Sequence, residues 1–172
     1  DLDNDGFDDV VVGAPGFDAG TQKDVGAVFV FFGGGDDTFA RTALMTGTEG
    51  NGHFGASLAT GGDINGDGFH DLVVGAPDAQ AAGITADSTR GRAFAIFGPV
   101  TAGSRSISAA DADGESFSVF NGRFNGERTG FDVGLVDANG DGLADLLLGS
   151  PGFPQVTFQL NHETGELELV TL

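Results

Sequence analysis

Short apolar runs rich in Val and Phe recur along the chain, separated by clusters of Gly, Pro, Asn and Asp. Such runs with such boundaries are typical of β-strands. No stretch of a dozen residues keeps a 3.6-residue apolar period free of Gly, so long helices are not predicted. The alternation at Phe29/Phe31 and at Phe94/Ile96 predicts side chains that face a core. Residues 104–112 are the least strand-like and favour a short helical turn. The pattern therefore predicts an all-β protein.

One acidic pattern occurs three times and divides the chain into repeats. It reads D-x-[DN]-x-D-G-x-x-D, then three apolar residues, then Gly-[Ala/Ser]-Pro, and it covers residues 1–15, 63–77 and 137–151. A second apolar run follows each copy, at 26–33, at 91–98 and, more weakly, at 155–160. The predicted unit is strand, acidic loop, strand, connection, strand, turn, strand. Four short strands are the content of one β-propeller blade.

The repeats predict about two and a half blades of four antiparallel strands. Residues 1–50 are an incomplete blade that lacks its opening strand, residues 51–122 a complete blade, and residues 123–172 a third blade. Because a propeller typically closes with about four to eight blades, we expect other blades as partners. They would come from a longer secreted chain or from further copies of this chain. A strand predicted at 166–172 would then complete another blade.

The acidic loop has the chemistry of a cation site. Oxygens at its positions 1, 3, 5 and 9 converge only if the backbone curls around one point, and Gly at position 6 permits that turn. A position 7 carbonyl can add another oxygen. Roughly six to eight hard oxygen ligands suit Ca²⁺, whereas Mg²⁺ usually keeps several waters and Zn²⁺ prefers His or Cys.

Two other interpretations of the loop agree less well with its residues. A solvated Asx-rich turn would explain a single copy, but three copies of closely spaced acids, which repel one another without a cation, favour binding. An EF-hand also begins with this pattern, but it requires a bidentate Glu at position 12 and flanking helices. Val12, Val74 and Leu148 stand at that position, so the EF-hand is excluded.

The loops, together with Phe54-Gly55 before the second loop and Gly75-Ala76-Pro77 after it, resemble the FG-GAP repeat. This family includes the N-terminal β-propeller of integrin α subunits and many secreted bacterial proteins, and its cation loop joins the first two strands of a blade. The third repeat departs from the family pattern, with Thr129-Gly130 for Phe-Gly and Ser150 for Ala.

The resemblance implies up to three Ca²⁺ ions, one per loop. The implied ligands are the side chains of Asp1, Asp3, Asp5 and Asp9 with the Phe7 carbonyl, those of Asp63, Asn65, Asp67 and Asp71 with the Phe69 carbonyl, and those of Asp137, Asn139, Asp141 and Asp145 with the Leu143 carbonyl.

Composition narrows the function further. The formal net charge of −19 repels phosphate backbones and argues against nucleic acid as a partner. The chain has no Cys, which excludes disulfides and thiolate metal sites. No apolar run reaches the roughly 18 residues of a membrane span, so no membrane insertion is expected. Of the 26 acidic residues, 20 are Asp, and ten of these are implied ligands.

The sequence therefore predicts a calcium-binding extracellular β-propeller module that serves as a non-catalytic adhesion or protein-interaction scaffold for a protein or glycan ligand. The extracellular location follows from calcium, because open carboxylate sites with dissociation constants of about 10⁻⁴–10⁻³ M fill outside cells. Catalysis is not expected, because His53, His70 and His162 are scattered. One alternative is a carbohydrate-binding or accessory propeller of a secreted hydrolase or lipase, and another is a self-assembling surface or filament subunit.

Overall fold

The computed structural model describes residues 1–35, 39–80 and 89–152, together with the backbone of two strands at 156–160 and 167–171. Strands and one short 3₁₀ helix, Ala109–Asp111, form the regular structure of these ranges. The strands are β1 (Val10–Ala14), β2 (Ala27–Phe32), β3 (Arg41–Gly47), β4 (Ser57–Gly62), β5 (Asp71–Ala76), β6 (Arg92–Ile96), β7 (Gly103–Ile107), β8 (Phe117–Asn121), β9 (Asp132–Val136), β10 (Asp145–Gly149), β11 (Val156–Leu160) and β12 (Leu167–Thr171). In the described ranges, no helix reaches the length and apolarity of a bilayer span. The all-β prediction is confirmed.

The second repeat forms a four-stranded sheet. Its strands lie in the order β4-β5-β6-β8, and every neighbouring pair is antiparallel. All residues of the two central strands, β5 and β6, are buried. The second acidic loop joins β4 to β5, which is the position that the resemblance implies. The four-stranded antiparallel blade is therefore present as predicted.

The first repeat also belongs to a four-stranded sheet, but one strand comes from elsewhere. The order is β1-β2-β3-β7, with β7 parallel to β3. β7 lies in the part of the chain assigned to the second blade, and it is followed by the 3₁₀ helix that was expected somewhere in residues 104–112. Because β7 pairs along the outer edge of β3, it covers an edge that would otherwise expose its backbone groups. It lies at the opposite edge of this sheet from β1.

The third repeat contains two hairpin-like pairs. β9 pairs antiparallel with β10, and β11 with β12. The strand predicted at 166–172 is observed at Leu167–Thr171, where it pairs with β11 rather than with another blade. Residues 153–155, 161–166 and 172, and the side chains of β11 and β12, lie outside the described structure.

The core lies between the first and second sheets. The Phe54 and Phe94 rings meet edge to face, with centroids 5.3 Å apart, and Phe94 and Ile96 are buried as predicted. On β2 the prediction was wrong about the face. Val28 and Val30 are fully buried, whereas Phe29 and Phe31 point to the opposite face and are half-buried. There the two rings stack on each other, with centroids 6.4 Å apart.

Neighbouring repeats approach each other through glycines. A Cβ placed on Gly13 would lie 2.1 Å from the Gly55 carbonyl oxygen, and one placed on Gly75 would lie 2.0 Å from the Gly130 oxygen. These distances leave no space for a side chain. The Gly-Ala-Pro glycine of one repeat must therefore remain glycine, because the Phe-Gly backbone of the next repeat passes directly over it.

The third repeat keeps this junction despite its departure from Phe-Gly. The Phe54 amide donates to the Val25 carbonyl at 3.1 Å, and the Thr129 amide donates to the Arg90 carbonyl at 2.9 Å in the same way. Since this contact is made by backbone atoms, a change of side chain from Phe to Thr leaves it intact. The Thr129 hydroxyl is instead within 3.0 Å of the Ser150 hydroxyl, so the two departures from the pattern are in contact.

Candidate metal centre

The three acidic loops share one backbone conformation. In each loop the position 6 glycine has a positive φ: 92° at Gly6, 88° at Gly68 and 90° at Gly142. This region favours glycine. The amide of each glycine donates to the Oδ2 atom of the position 1 aspartate, at 2.9 Å in the first loop, 2.8 Å in the second and 3.0 Å in the third. The predicted curl of the backbone is therefore present in all three copies.

The position 9 aspartates anchor the loops. Asp9, Asp71 and Asp145 accept the position 2 amide at 2.7, 2.7 and 2.8 Å. Asp9 also accepts the Gly33 amide beyond β2, and Asp71 accepts the Gly98 amide beyond β6, both at 2.9 Å. Each of these two carboxylates thus connects the start of its loop to the end of a strand.

The position 5 aspartates shape the second half of each loop. Asp5, Asp67 and Asp141 accept the amide of position 7 at 3.0, 2.9 and 2.8 Å. The position 7 residues are Phe7, Phe69 and Leu143, whose carbonyls are implied ligands. These short-range bonds shape the loop, so the site is assembled locally by its own sequence.

The first loop brings three carboxylates together. One oxygen from each of Asp1, Asp3 and Asp9 lies within 4.8 Å of the other two. The Asp3 side chain is only 7% exposed, and its Oδ1 atom is buried without a hydrogen-bond partner. A buried carboxylate oxygen normally has a partner, because its desolvation is costly. The all-oxygen donor set and this unsatisfied atom both fit a hard divalent cation.

In the second and third loops position 3 is an asparagine. The Asn65 amide nitrogen donates to Asp67, and that of Asn139 donates to Asp141, each at 2.9 Å. Positions 3 and 5 are therefore in contact in both loops. Among the described residues, only the first loop gathers three carboxylate oxygens within 4.8 Å, because it alone has Asp at position 3.

The environments of two aspartates in the second loop shift their pKa values in opposite directions. Burial raises the pKa of Asp71, against the effect of the Gly98 and Ile64 amides. The Gly68 amide lowers the pKa of Asp63, which is half-buried. Asp71 forms hydrogen bonds to backbone amides but no ion pair with a cationic side chain in the described structure. A cation in this loop would stabilise the buried charge of Asp71.

The second and third loops touch each other. The Ala144 amide donates to the Asp63 carbonyl at 2.7 Å. Ala144 precedes the position 9 aspartate of the third loop, and Asp63 is position 1 of the second. These two loops therefore form a continuous acidic surface at one end of their sheets.

Sequence reasoning missed one residue at these loops. Arg41, at the start of β3, places its Nη2 atom 2.5 Å from Asp3 Oδ2 and its Nη1 atom 3.6 Å from Asp5 Oδ2. Its guanidinium also lies over the Phe32 ring, 5.1 Å from the centroid. The sequence feature that could have indicated a cationic neighbour is the additional carboxylate of the first loop: Asp3 stands where the other two loops have asparagine.

Two polar side chains near the junctions between repeats, Ser57 and His53, make structural contacts. The Ser57 hydroxyl donates to the Gly130 carbonyl at 2.8 Å, across the junction of two repeats. His53 Nδ1 lies 2.8 Å from Asp78, whose carboxylate also accepts from Arg128 at 3.1 Å. Asp78 thus connects the segments that lead into the second and third repeats. His162 lies outside the described residues.

Comparison with known proteins follows the same division of the chain. The model of the FG-GAP repeat matches residues 1–31, 54–87 and 129–165, together more than half of the chain. Each matched segment contains one acidic loop and the Gly-[Ala/Ser]-Pro that follows it.

Curated relatives match over most of the chain. Integrin alpha-5 of Xenopus laevis is 34% identical over 156 residues, covering 88% of this chain and 14% of the relative. Integrin alpha-PS5 of Drosophila melanogaster is 36% identical over 155 residues, with the same two coverages. Phosphatidylinositol-glycan-specific phospholipase D of Mus musculus is 29% identical over 186 aligned residues, covering 100% of this chain and 21% of the relative. The chain thus spans a small part of the length of these proteins.

Proposed function

The chain belongs to the FG-GAP repeat family, and from this premise we propose that it is a calcium-binding β-propeller module of an extracellular protein, acting as a non-catalytic adhesion or protein-interaction scaffold. The observation that carries the proposal is the buried, unpartnered Oδ1 atom of Asp3. Asp3 belongs to a group of three carboxylates, inside a loop whose backbone conformation recurs in all three repeats.

The proposed ions are held by the loop positions 1, 3, 5 and 9 and by the carbonyl of position 7. Bound Ca²⁺ supplies positive charge that neutralises carboxylates otherwise gathered at repulsive distances. The chain supplies the rest: glycine at position 6 turns the backbone, and the position 9 aspartate connects the loop to its sheet. The ion would therefore stiffen the end of each blade rather than take part in a reaction.

Two observations support the extracellular and adhesive parts of the proposal. Two relatives that are more than 30% identical over 88% of this chain bear integrin names. The loops are also open to solvent at positions 4 to 6 in each repeat. Open carboxylate sites bind calcium with dissociation constants of about 10⁻⁴–10⁻³ M, which suits extracellular calcium. We infer that protein partners contact the module directly, and that further blades pack against its end sheets.

The end sheets expose apolar side chains that further blades would cover. Val10 and Val12 on β1 are 45% and 44% exposed, and Leu147 on β10 is 50% exposed. The blades would come from the same polypeptide or from other copies. Light scattering separates these sources, because assembly from copies gives a concentration-dependent mass and a strictly monomeric species excludes it.

A second candidate function is an accessory propeller attached to a secreted hydrolase. The relative named as a phospholipase D, aligned over the whole chain, favours it. The two candidates differ in the protein that carries this segment, since only the second requires a separate domain with catalytic residues. Hydrolase activity of the parent protein that persists when this segment alone is deleted would indicate an accessory role.

Calorimetric melting tests the role of calcium. The melting temperature is compared in 5 mM calcium and in excess chelator. If the dissociation constant of each site is about one tenth of this calcium concentration, bound calcium stabilises the chain by about 1.4 kcal/mol per site. For a chain of this length, each kcal/mol raises the melting temperature by about 2–4 °C. Equal concentrations of magnesium serve as the control and should give a smaller shift. An unchanged melting temperature after calcium removal would contradict the structural role of the ions.

A further inference from the structure

The first loop carries more negative charge than the other two. Its implied ligands include Asp3, where the second and third loops have Asn65 and Asn139, so it has four carboxylates and they have three. It is also the loop with a cationic neighbour. Arg41 contacts both Asp3 and Asp5, whereas no lysine or arginine pairs with a ligand position of the second or third loop in the described ranges.

We propose that Arg41 is a built-in counter-ion of the first loop, which competes with the metal ion and sets the affinity of this site. The inference rests on the proposed calcium-binding function and deepens it by naming how one site is regulated. With Arg41 in place, the four carboxylates and the guanidinium together carry the same net charge as the three carboxylates of either other loop. Arg41 thus makes the first site electrostatically similar to its neighbours.

The arrangement of Asp3 shows how arginine and ion share one carboxylate. Asp3 Oδ2 is bound by Arg41, while Oδ1 is buried and has no partner. The oxygen left free is the one available to a cation. Arg41 therefore does not fill the site, but its positive charge lies one carboxylate away and repels a divalent ion.

Three contacts hold Arg41 in this position. Its guanidinium lies over the Phe32 ring, 5.1 Å from the centroid, and its two terminal nitrogens reach different aspartates of the loop. Its side chain is 53% exposed, so solvent screens its charge. For a unit charge near a divalent ion in such surroundings, we expect an effect on affinity of about tenfold.

Three equivalent glycines allow each site to be followed separately. The amides of Gly6, Gly68 and Gly142 donate to the position 1 aspartates of the three loops, so their nuclear magnetic resonance signals report ion binding loop by loop. Calcium chloride is titrated into the ¹⁵N-labelled chain and into its Arg41→Gln variant. In the variant, the calcium concentration at the midpoint of the Gly6 signal change should be about tenfold lower. The midpoint calcium concentrations at Gly68 and Gly142 should not change.

Two further variants complete the design. Arg41→Met removes the charge but keeps an apolar stem over Phe32, and it decides the question if the glutamine variant does not fold. Arg123→Gln removes the same charge from an exposed position elsewhere and should leave the Gly6 midpoint unchanged. An unchanged or higher calcium midpoint at Gly6 in the Arg41 variants overturns the inference, as does equal tightening by Arg123→Gln. If none of the three amides of the unchanged chain responds to millimolar calcium, the proposed function itself fails.

Discussion

Replacing Gly75 by alanine tests how neighbouring repeats fit together. Gly75 belongs to the Gly-Ala-Pro segment of the second repeat, and its Cα faces the backbone of Gly130 at the start of the third. An added Cβ would lie 2.0 Å from the Gly130 carbonyl oxygen and 2.1 Å from the Ser57 hydroxyl. Both atoms would have to move away by more than an ångström, although Gly75 has a backbone conformation that alanine can adopt.

The cost follows from the contacts that this movement breaks. Overpacking of a buried site costs about 1–3 kcal/mol, and loss of the Ser57–Gly130 hydrogen bond adds about 0.5–1.5 kcal/mol. We therefore expect Gly75→Ala to lower the free energy of unfolding by about 3 kcal/mol. At about 2–4 °C per kcal/mol, this predicts a melting temperature lower by about 6–12 °C.

Thermal unfolding followed by circular dichroism measures this change, with Gly134→Ala as the matched control. Gly134 is also a strand glycine, but its added Cβ would meet only Leu147 at the ordinary contact distance of 3.5 Å. The control should be neutral or more stable by up to about 1 kcal/mol, since alanine restricts the unfolded chain. If Gly75→Ala melts within a degree of the unchanged chain, the close approach of the two repeats is refuted.

Two other changes test contacts away from the loops. Glu127→Ala removes a buried carboxylate that accepts hydrogen bonds from the amides of Arg123 at 2.6 Å and Phe124 at 2.9 Å. Chemical denaturation should therefore show a free energy of unfolding lower by about 1–3 kcal/mol. Glu115→Ala, at an exposed position, is the control, and an equal loss of stability in both variants would contradict the argument. Asp113→Asn tests a pH effect. The Ser116 and Glu115 amides hold the pKa of Asp113 far below its ordinary value of 3.8, so its stabilisation is present above that pH and is lost as the pH falls towards the lowered pKa. In Asp113→Asn, the free energy of unfolding should therefore decrease less as the pH falls below 3.8 than it does in the unchanged chain. An equal decrease in both proteins would contradict this role of Asp113.

Much of the fold was predictable because its signals are local. Apolar runs bounded by Gly and Pro identified the strands, and the acidic pattern, whose hydrogen bonds lie mostly within a few residues, identified the loops. The same locality explains the correct exclusion of the EF-hand, since a strand rather than a helix follows each loop. The fold class, the division into repeats and the conformation of the loops could therefore be predicted without knowledge of contacts between distant residues.

The features that were missed depend on residues far apart in the chain. β7 has the sequence Gly-Ser-Arg-Ser-Ile, with little apolar pattern, and its partner β3 lies about sixty residues earlier. Arg41 lies 38 residues from Asp3, and no local pattern connects them. On β2 the alternation indicated two faces correctly, but only the packing of the two sheets determines that the valines rather than the phenylalanines face the core.

Calcium binding is measured most directly by titration calorimetry of the chain with calcium chloride. The three loops predict up to three ions per chain, one per loop, with dissociation constants of about 10⁻⁴–10⁻³ M. A variant with Asp5→Asn, Asp67→Asn and Asp141→Asn removes one carboxylate from each loop and should lose most of the binding heat. Absence of binding at millimolar calcium, or undiminished binding by the triple variant, would contradict the assignment of these loops as calcium sites.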